Sequence, residues 1–468
     1  MERTLVIKTK EKVGEKVKLT GWVHSIRDHG KLTFIDLRDR TGTVQLVGKE
    51  LPKVTAESVV EVVGEIAKRP EKLINENLET GKIEIKIEKL EVISVAKEMP
   101  IPLDTDGYDI EEGTRLKYRY LDLRRKRLTK NIRLRSKAIN FIRSWLLEKD
   151  FVDIETPILT KTTPEGARDF LVPSRLQPGK FYALPQSPQQ YKQLLMVSGF
   201  EKYFQIARCF RDEDPRADRA YGEFTQLDVE MSFVNQEDIL KLTEQLFTDL
   251  IKEVFPEKKI TKEPWPRLTH AEAMKKYGSD KPDLRKDKKD PNELAFCWIT
   301  DFPLFVKQEK EDFYHGIGKA KYAPSHHMFT APHPDDVALL DKDPLRVRGL
   351  QHDMILNGHE VGGGSIRIHQ TEIQEKIFKL IGFDDKQKKQ FEHLLRAFEY
   401  GVPPHGGIAP GIDRFLYTVL GERSLREVIA FPMTAGGTTA VMEAPSKAGG
   451  EQLEELGIKV KESRDKKK

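Results

Sequence analysis

Cysteine is almost absent from this sequence, since its 468 residues include only Cys209 and Cys297. Two cysteines cannot form a disulfide framework, and such scarcity is typical of proteins that fold in a reducing compartment. No apolar run approaches the roughly 18 residues that a membrane-spanning helix needs. Residues 1–16 also lack the apolar segment and cleavage site of a signal peptide. We therefore expect a cytoplasmic protein with no membrane span.

A large net charge is missing as well, because 79 Lys and Arg residues nearly balance 75 Asp and Glu residues. The formal charge of +4 does not identify a class of partner. The local distribution says more: residues 115–137, RLKYRYLDLRRKRLTKNIRLRSK, contain one acidic residue, Asp122, among many basic ones. This stretch is either a solvated helix face or a phosphate-binding stripe for nucleic acid.

The pattern of apolar residues divides the chain into two parts. Residues 1–104 contain five short alternating or β-branched runs separated by Gly, Asp and Thr turns. This pattern predicts a small closed barrel of the OB type. Residues 105–130 are expected to be a basic linker. Residues 131–468 mix helical periodicity with clustered strands, which predicts an α+β domain built on an antiparallel sheet.

Three segments of the second part place arginine beside acidic residues and glycine. Residues 210–231, FRDEDPRADRAYGEFTQLDVEM, hold Arg211 and Arg219 among seven carboxylates between two predicted strands. In HEVGGGSIRIH, residues 359–369, Glu360 and Arg367 flank three glycines, and GGIAPGIDRF, residues 406–415, carries Arg414. One interpretation is a set of surface salt bridges, worth about 0–1 kcal/mol each.

The second interpretation is a binding site. Arginine presents a planar fork of N–H donors to carboxylate and phosphate. Acidic side chains nearby can bind a divalent metal or an ammonium group, and glycine allows the backbone to approach a ligand closely. This set of groups suits a zwitterionic or acidic metabolite together with a polyphosphate.

The three segments resemble the three motifs of the class II aminoacyl-tRNA synthetases, and in detail those of the bacterial-type aspartyl-tRNA synthetases. Asparaginyl- and lysyl-tRNA synthetases share the architecture and are the alternative relatives. The matching segments are TPEGARDF (163–170), QSPQQYKQLLM (186–196), FRDEDPRADR and EFTQLD (210–228), NGHEVGGGSIRIH (357–369) and GIDR (411–414).

The resemblance implies an aspartate–tRNA ligase that uses ATP and Mg²⁺. An N-terminal OB-fold barrel would bind the anticodon, and a class II antiparallel-sheet domain would carry the chemistry. The expected partners are L-aspartate, tRNA(Asp), tRNA(Asn) and a second copy of the chain in a homodimer. The alternatives are an enzyme restricted to tRNA(Asp) and an RNA-binding relative without ligase activity.

The resemblance also implies roles for individual residues, with Arg211, Arg367 and Arg414 as the catalytic set. The implied metal ligands are Asp353 and Glu360. ATP would be bound by Arg211, Asp212, Glu213, Phe224, Glu360, Gly411, Ile412, Asp413 and Arg414. Aspartate would be bound by Glu165, Ser187, Gln189, Lys192, Arg211, Asp228, His326 and Arg367.

In the barrel, the resemblance implies that Phe34 stacks on an anticodon base, with Arg27, His29 and Gln45 around it. Because Phe34 lies in an alternating strand, the other interpretation is a core residue. His29 occupies the third position of RDHG, where relaxed members of the family often have histidine and tRNA(Asp)-specific members often have leucine. His29 therefore favours relaxed specificity, whereas Lys72 resembles the tRNA(Asp)-specific members.

Two features depart from the family pattern. The family usually carries a large inserted domain, which this sequence lacks; a short charged loop near residues 279–293 stands in its place. The segment before EFTQ is one residue longer than usual, and it offers Ala220 and Tyr221 where the family commonly has an ATP-contacting glutamine.

Overall fold

The protein is described by a computed structural model that covers residues 1–162, 167–213, 221–308 and 320–461. It consists of two compact units, Met1–Pro102 and Leu103–Lys468. The domain boundary therefore lies two residues before the expected one. In the described residues, no helix is long and apolar enough to cross a membrane.

The first unit is a closed five-stranded barrel with strand order β1-β2-β3-β5-β4. Only β3 and β5 are parallel, and the other neighbours are antiparallel. Short 3₁₀ helices span Val6–Glu11 and Glu71–Leu73. The strands are β1 (Lys16–Asp28), β2 (Thr33–Asp39), β3 (Gly42–Gly48), β4 (Val59–Lys68) and β5 (Ile83–Ser94). The predicted OB-type barrel is confirmed.

Alternation of apolar residues builds the barrel core. Val17, Leu19 and Val23 of β1 point inward against residues such as Ile35 and Leu37 of β2, and all are fully buried. Period-two alternation places such residues on one face of a strand, so the hydrophobic face turns toward the barrel axis.

The second unit contains an eight-stranded sheet with order β12-β14-β17-β18-β19-β10-β9-β6. The six central strands pair antiparallel, as predicted, while the edge strands β12 and β6 pair parallel with their neighbours. Two-stranded ribbons pair β7 with β8, β11 with β13, and β15 with β16. The strands are β6 (Val152–Asp153), β7 (Leu171–Pro173), β8 (Phe181–Ala183), β9 (Lys202–Arg211), β10 (Gly222–Ser232), β11 (Lys259–Ile260), β12 (Arg267–Thr269), β13 (Glu293–Leu294), β14 (Phe296–Thr300), β15 (Phe305–Lys307), β16 (Tyr322–Pro324), β17 (Gln351–Leu356), β18 (His359–Ile366) and β19 (His405–Pro410).

Amphipathic helices cover this sheet and complete the α+β architecture. The longest helices carry their buried residues at helical spacing, and Asn235 caps one of them through a reciprocal capping box with Asp238. The helices are α1 (Glu112–Lys117), α2 (Arg119–Asp122), α3 (Lys126–Leu147), α4 (Gln189–Val197), α5 (Gln236–Val254), α6 (His270–Tyr277), α7 (Thr371–Leu380), α8 (Asp385–Lys388), α9 (Glu392–Phe398), α10 (Ile412–Leu420) and α11 (Gly450–Glu455). Further 3₁₀ helices span Pro334–Asp341, Pro344–Arg346, Lys389–Phe391 and Leu425–Val428.

The expected basic linker at residues 105–130 is wrong, because this stretch forms α1, α2 and the start of α3 inside the second unit. Three of its arginines do not belong to a solvated face. Arg115, Arg119 and Arg125 are buried and donate to the fully buried Asp122, and Arg115 also donates to Glu427. Buried charges require such partners. The composition of the stretch could not reveal Glu427, because this residue lies near the other end of the chain.

Candidate active site

A cavity of about 300 Å³ opens at the middle of the large sheet. Strands β9, β10, β18 and β19 supply most of its walls, together with the first turns of α4 and α10. Among its lining residues are most of the predicted site residues, namely Ser187, Gln189, Lys192, Arg211, Glu213, Phe224, Asp228, His326, Glu360, Arg367, Gly411, Asp413 and Arg414. Ser187 and Arg414, 227 positions apart in sequence, therefore meet in one place, which local spacing could not establish.

The triple glycine of β18 shows why this site needs residues without side chains. A Cβ atom at Gly364 would lie 2.2 Å from the carbonyl oxygen of Gly407, so β18 and β19 approach too closely for any larger residue. A Cβ at Gly363 would instead lie 3.2 Å from Asp353 Oδ1, on the face that carries the site. Glycine at 364 lets β18 and β19 approach each other, and glycine at 363 leaves the space beside Asp353 unfilled.

One end of the cavity is a buried network of charges. Arg367 donates two hydrogen bonds to Glu230, from Nε to Oε1 (3.0 Å) and from Nη2 to Oε2 (3.1 Å). Lys192 Nζ lies 3.0 Å from Asp228 Oδ1 and 3.4 Å from Glu230 Oε2. All four side chains are 2% exposed or less. Although burial alone would raise the pKa of Glu230, the charges of Arg367 and Lys192 lower it.

Sequence reasoning missed Glu230, although the signal was present. In FTQLDVEM, Asp228 and Glu230 are two residues apart, so they share one face of β10. Glu230 is fully buried behind the cavity lining and holds the Arg367 fork, which makes it a positioning residue in this geometry.

Arg367 also donates from Nη1 to Ser365 Oγ (2.6 Å) and to His327 Nε2 (2.7 Å). Four of its five N–H groups are thus directed at protein acceptors. Because a guanidinium only donates, Nε2 of His327 must be the acceptor in this contact, so the ring is not doubly protonated. A bidentate contact with a substrate carboxylate would require His327 to leave Nη1.

The two adjacent histidines differ in placement. Both line the cavity, but His326 keeps more of its surface accessible than the half-buried His327. Desolvation, followed by the charges of Arg367 and Lys192, lowers the pKa of His326. Desolvation and the neighbouring His326 lower the pKa of His327 well below its usual range. Both rings are therefore neutral at physiological pH.

The other end of the cavity carries two more arginines. The Arg211 guanidinium lies 5.0 Å from the centroid of the Phe224 ring, a cation–π contact, and its Nε donates to Gln186 O (3.3 Å). Arg414 donates from Nη1 to the backbone carbonyl of Glu360 (2.8 Å). Arg211 ends β9 and Arg414 lies in the first turn of α10, so two separate elements each bring a cation to the same cavity.

The predicted metal ligands Asp353 and Glu360 both lie beside Gly363, which lines the cavity. Their Oδ1 and Oε1 atoms converge on Gly363, at 3.2 and 3.8 Å from the position a Cβ would take there. Burial and the neighbouring Glu360 carboxylate raise the pKa of Asp353 well above its usual range. Two carboxylates plus substrate phosphates are a common Mg²⁺ ligand set. No group of three or more His, Cys, Asp or Glu side chains in the described part of the chain is arranged to hold a metal ion by itself.

Some predicted ATP contacts are not supported. The side chain of Ile412 is buried in the hydrophobic core of the second unit, away from the cavity. Asp413 pairs with Arg135 and accepts the backbone N–H of Thr225 at 2.9 Å, so its carboxylate has a structural partner on each side. Ile412 therefore has a packing role, whereas Asp413 bridges these partners and also lines the cavity, so its contact with ATP stays a prediction.

Other predicted site residues lie either beside the cavity or outside the described residues. Asp212 does not line the cavity, and its carboxylate accepts from Tyr221 Oη at 3.1 Å. Glu165, Arg219 and Ala220 lie outside the described residues, so their roles stay predictions.

The predicted anticodon residues share one surface of the barrel. Arg27, Phe34 and Gln45 lie on the adjacent strands β1, β2 and β3, with Arg27 opposite Phe34 in register. Phe34 is half-buried and absent from the barrel core, and the His29 ring contacts it edge-on at 5.6 Å. Arg27 donates to Gln45 Oε1 (3.4 Å) and pairs with Asp36. This placement favours the stacking interpretation of Phe34 over the core one.

Comparison with known families agrees with both units. Residues 111–435 match the family described as tRNA synthetases class II (D, K and N), and residues 17–93 match the OB-fold nucleic acid binding domain. Among solved structures, an asparaginyl-tRNA synthetase from Pyrococcus horikoshii aligns with a TM-score of 0.74 at 24% identity, over 93% of this chain and 98% of its own. An aspartyl-tRNA synthetase from Entamoeba histolytica aligns with a TM-score of 0.71 at 23% identity, over 92% and 91%. At such identities the likeness shows the fold alone.

Curated relatives are closer in sequence. The aspartate–tRNA(Asp/Asn) ligase of Dictyoglomus turgidum is 42% identical over 97% of both chains, and that of Rubrobacter xylanophilus is 40% identical over 95% of this chain and 94% of its own. The latter alignment spans 578 residues whereas this chain has 468, so it contains long gaps on this side, in agreement with a missing insertion. With a family match over most of its length and such relatives, the chain belongs to the class II tRNA synthetases of the D, K and N group.

Proposed function

We propose that this chain is an aspartate–tRNA ligase. It activates L-aspartate with ATP, forms aspartyl-adenylate and pyrophosphate, and then transfers the aspartyl group to the 3′ end of a tRNA. Family membership and the names of the curated relatives support the reaction class. The geometry of the cavity supports the choice of amino acid.

The observation that carries the proposal is the charge arrangement at the buried end of the cavity. Arg367 and Lys192 offer cations to a side-chain carboxylate. Within the described residues, Asp228 Oδ2 is buried without a hydrogen-bond partner, and so is Gln189 Nε2. Buried polar atoms normally have partners, and an α-ammonium and a carbonyl or carboxylate oxygen would satisfy these two. Aspartate supplies each of these groups.

At the other end, Arg211 and Arg414 would bind the phosphates of ATP. An oxygen of the aspartate α-carboxylate attacks the α-phosphorus, the new P–O bond forms, and the bond to pyrophosphate breaks. Both reactants are anions, so arginines fixed in place before the reaction reduce the repulsion and orient the attack. Mg²⁺ held by Asp353 and Glu360 would offset further phosphate charge.

The protein itself needs no nucleophile for either step. In the second step, the 3′-terminal hydroxyl of the tRNA attacks the aspartyl carbonyl carbon and AMP leaves. The two cysteines are buried, and burial raises the pKa of Cys297 to about 12, which keeps its thiol protonated.

On the barrel, Phe34 would stack on an anticodon base, and His29 beside it would face the first anticodon position. We propose relaxed specificity, in which both tRNA(Asp) and tRNA(Asn) receive aspartate. A histidine can donate or accept a hydrogen bond, so it tolerates either first base. The Asp/Asn names of several relatives support this choice. We further propose a cytoplasmic homodimer, which sedimentation analysis would test.

ATP–pyrophosphate exchange, measured separately with each amino acid, tests the activity. Aspartate should support exchange, while asparagine and lysine should not. Equal exchange with asparagine would contradict the proposal and favour an asparaginyl enzyme. Charging of purified tRNA(Asp) and tRNA(Asn) side by side tests the tRNA range. A preference for tRNA(Asp) above about a hundredfold, which is about 2.7 kcal/mol, would contradict relaxed specificity.

A further inference from the structure

A lysine outside the family motifs discussed above reaches the proposed metal site. Lys281 Nζ lies 2.8 Å from Glu360 Oε2, and the two side chains are 41% and 32% exposed. The backbone carbonyl of the same Glu360 accepts an N–H from Arg414 at 2.8 Å. Glu360 therefore has a cation on its carboxylate and a second cation on its backbone, at the end of the cavity assigned to the polyphosphate.

Lys281 belongs to the short loop that stands where the family carries its inserted domain. Helix α6 ends at Gly278, whose φ of 66° turns the chain, and Ser279 Oγ then accepts the N–H of Lys281 at 3.0 Å. Farther along, Leu284 packs on a small apolar cluster formed with β14 and β17. The loop thus holds Lys281 at a fixed point of the backbone while its side chain stays half in solvent.

The turn between β17 and β18 is fitted to this loop. Gly358, with a φ of 85°, would place a Cβ 3.3 Å from Asp283 Cβ, so the two segments are in close contact. Asp283 is itself fixed by a bidentate pair with Arg285, with N–O distances of 3.0 and 2.8 Å. Because β18 carries Glu360, this contact sets the distance between Lys281 and the carboxylates.

The Lys281–Glu360 pair differs in kind from the Arg367–Glu230 pair. The latter is buried and bidentate, whereas the former is a single contact that water reaches. An exposed pair of this type is weak and easily exchanged. A divalent cation on Asp353 and Glu360 would repel the Lys281 ammonium and replace it as the counter-charge. The flexible lysine stem could then turn toward phosphate oxygens beside Arg414.

We propose that Lys281 is an exchangeable counter-ion of the active site. Before nucleotide binds, it pairs with Glu360 and limits the repulsion between Glu360 and the buried Asp353. When a divalent cation arrives with the nucleotide, Lys281 leaves Glu360 and pairs with the terminal phosphates. The inference rests on the proposed function for the identity of the nucleotide, and it adds a third cation to the two arginines.

Titration of the full-length, ligand-free protein with Mn²⁺ alone, followed by the loss of the free-ion electron paramagnetic resonance signal, tests the first half. Lys281→Met removes the competitor, so the Mn²⁺ dissociation constant should fall by about threefold. Lys288→Met is the matched control, because Lys288 lies in the same loop, is more exposed and reaches only Asp283 at 3.9 Å. Adding Glu360→Gln to Lys281→Met should abolish the gain.

The apparent KM for ATP at saturating Mg²⁺ tests the second half, since the competition for the metal is then removed. Lys281→Met should raise this KM by about tenfold, the scale of one lost charge-assisted contact. Lys288→Met should not change it. Urea unfolding midpoints of both variants should match that of the wild type, since both lysines are partly exposed.

Equal Mn²⁺ affinity in the Lys281→Met and Lys288→Met variants would overturn the exchange. An unchanged KM for ATP would overturn the pairing with phosphate, leaving Lys281 a structural ion pair. The Mn²⁺ titration contains neither aspartate nor tRNA. Failure of aspartate-dependent exchange in the wild type would therefore contradict the proposed function without altering this result.

Discussion

Replacement of Arg367 by lysine is the sharpest test of how the cavity recognises its amino acid. Lysine keeps the positive charge but has one nitrogen, so it cannot serve both oxygens of Glu230 together with Ser365 and His327. At least one charge-assisted hydrogen bond is lost in a site that is 2% exposed or less. Such a bond contributes roughly 1.5–3 kcal/mol.

Two effects should follow from Arg367→Lys. The free energy of unfolding should fall by about 2 kcal/mol, because Glu230 keeps only part of its hydrogen bonding. Aspartate activation should lose about 2–4 kcal/mol, which is about 30- to 1000-fold in kcat/KM for aspartate. The KM for ATP should stay within about threefold, because the nucleotide is proposed to bind at the other end of the cavity.

ATP–pyrophosphate exchange at varied aspartate, together with urea unfolding, measures both effects. Arg348→Lys is the matched control: Arg348 also makes a bidentate pair, with Asp336 at 2.7 and 3.1 Å, but at the surface and away from the cavity. Its activity should be that of the wild type. Exchange by Arg367→Lys within about threefold of the wild type would refute the assignment of Arg367 to aspartate recognition.

Three further predictions concern other parts of the molecule. Phe34→Ala should weaken tRNA charging by about 1–3 kcal/mol, the value of one base–aromatic stack, and leave exchange unchanged; an equal loss of both would mean that the barrel is simply less stable. A Gly/Ser replacement of residues 286–290 should leave aminoacylation unchanged, because Glu293 accepts from the backbone N–H groups of residues 286 and 287 rather than from their side chains; a tenfold loss of rate would show that this loop has a catalytic task. Burial, followed by the charge of Arg367, lowers the pKa of His352 from 6.5 to about 3, so its stabilisation is complete above pH 6.5 and is lost as the pH falls from 6.5 toward 3. In this window the free energy of unfolding should fall with decreasing pH less steeply in His352→Gln than in the wild type, by up to about 1.4 kcal/mol per pH unit. Denaturant unfolding at several pH values measures this, and equal slopes in the wild type and the variant would contradict the neutral buried imidazole.

Much of the site could be predicted because motif residues sit at fixed points of regular strands. Arg211 ends β9, Arg367 directly follows β18, and Arg414 lies in the first turn of α10, so a sequence pattern that gives these elements also places the arginines. Period-two alternation places Asp228 on the cavity face of β10, and Lys192 reaches the same cavity from the first turn of α4. The five-stranded barrel followed from five alternating or β-branched runs and the turns that separate them.

The remaining features depend on contacts between distant segments. The role of Glu230 required knowing which strand lies beside β10, and the engagement of Arg367 by His327 required the position of a loop. Residues 105–130 were misjudged because their acidic partner Glu427 is about 300 positions away. Local composition measures charge, but only the fold decides whether that charge is solvated or neutralised.

The long-range pairing of Arg115 with Glu427 has a consequence for how the protein is made. The two residues are 312 positions apart. At a synthesis rate of about 5–20 residues per second, roughly 15–60 seconds pass between their appearance on the ribosome. The barrel, complete by residue 102, can fold as it emerges, whereas the second unit must keep several arginines solvated until its last hundred residues arrive. Nascent chains of this protein should therefore resist protease in the barrel well before they do so elsewhere.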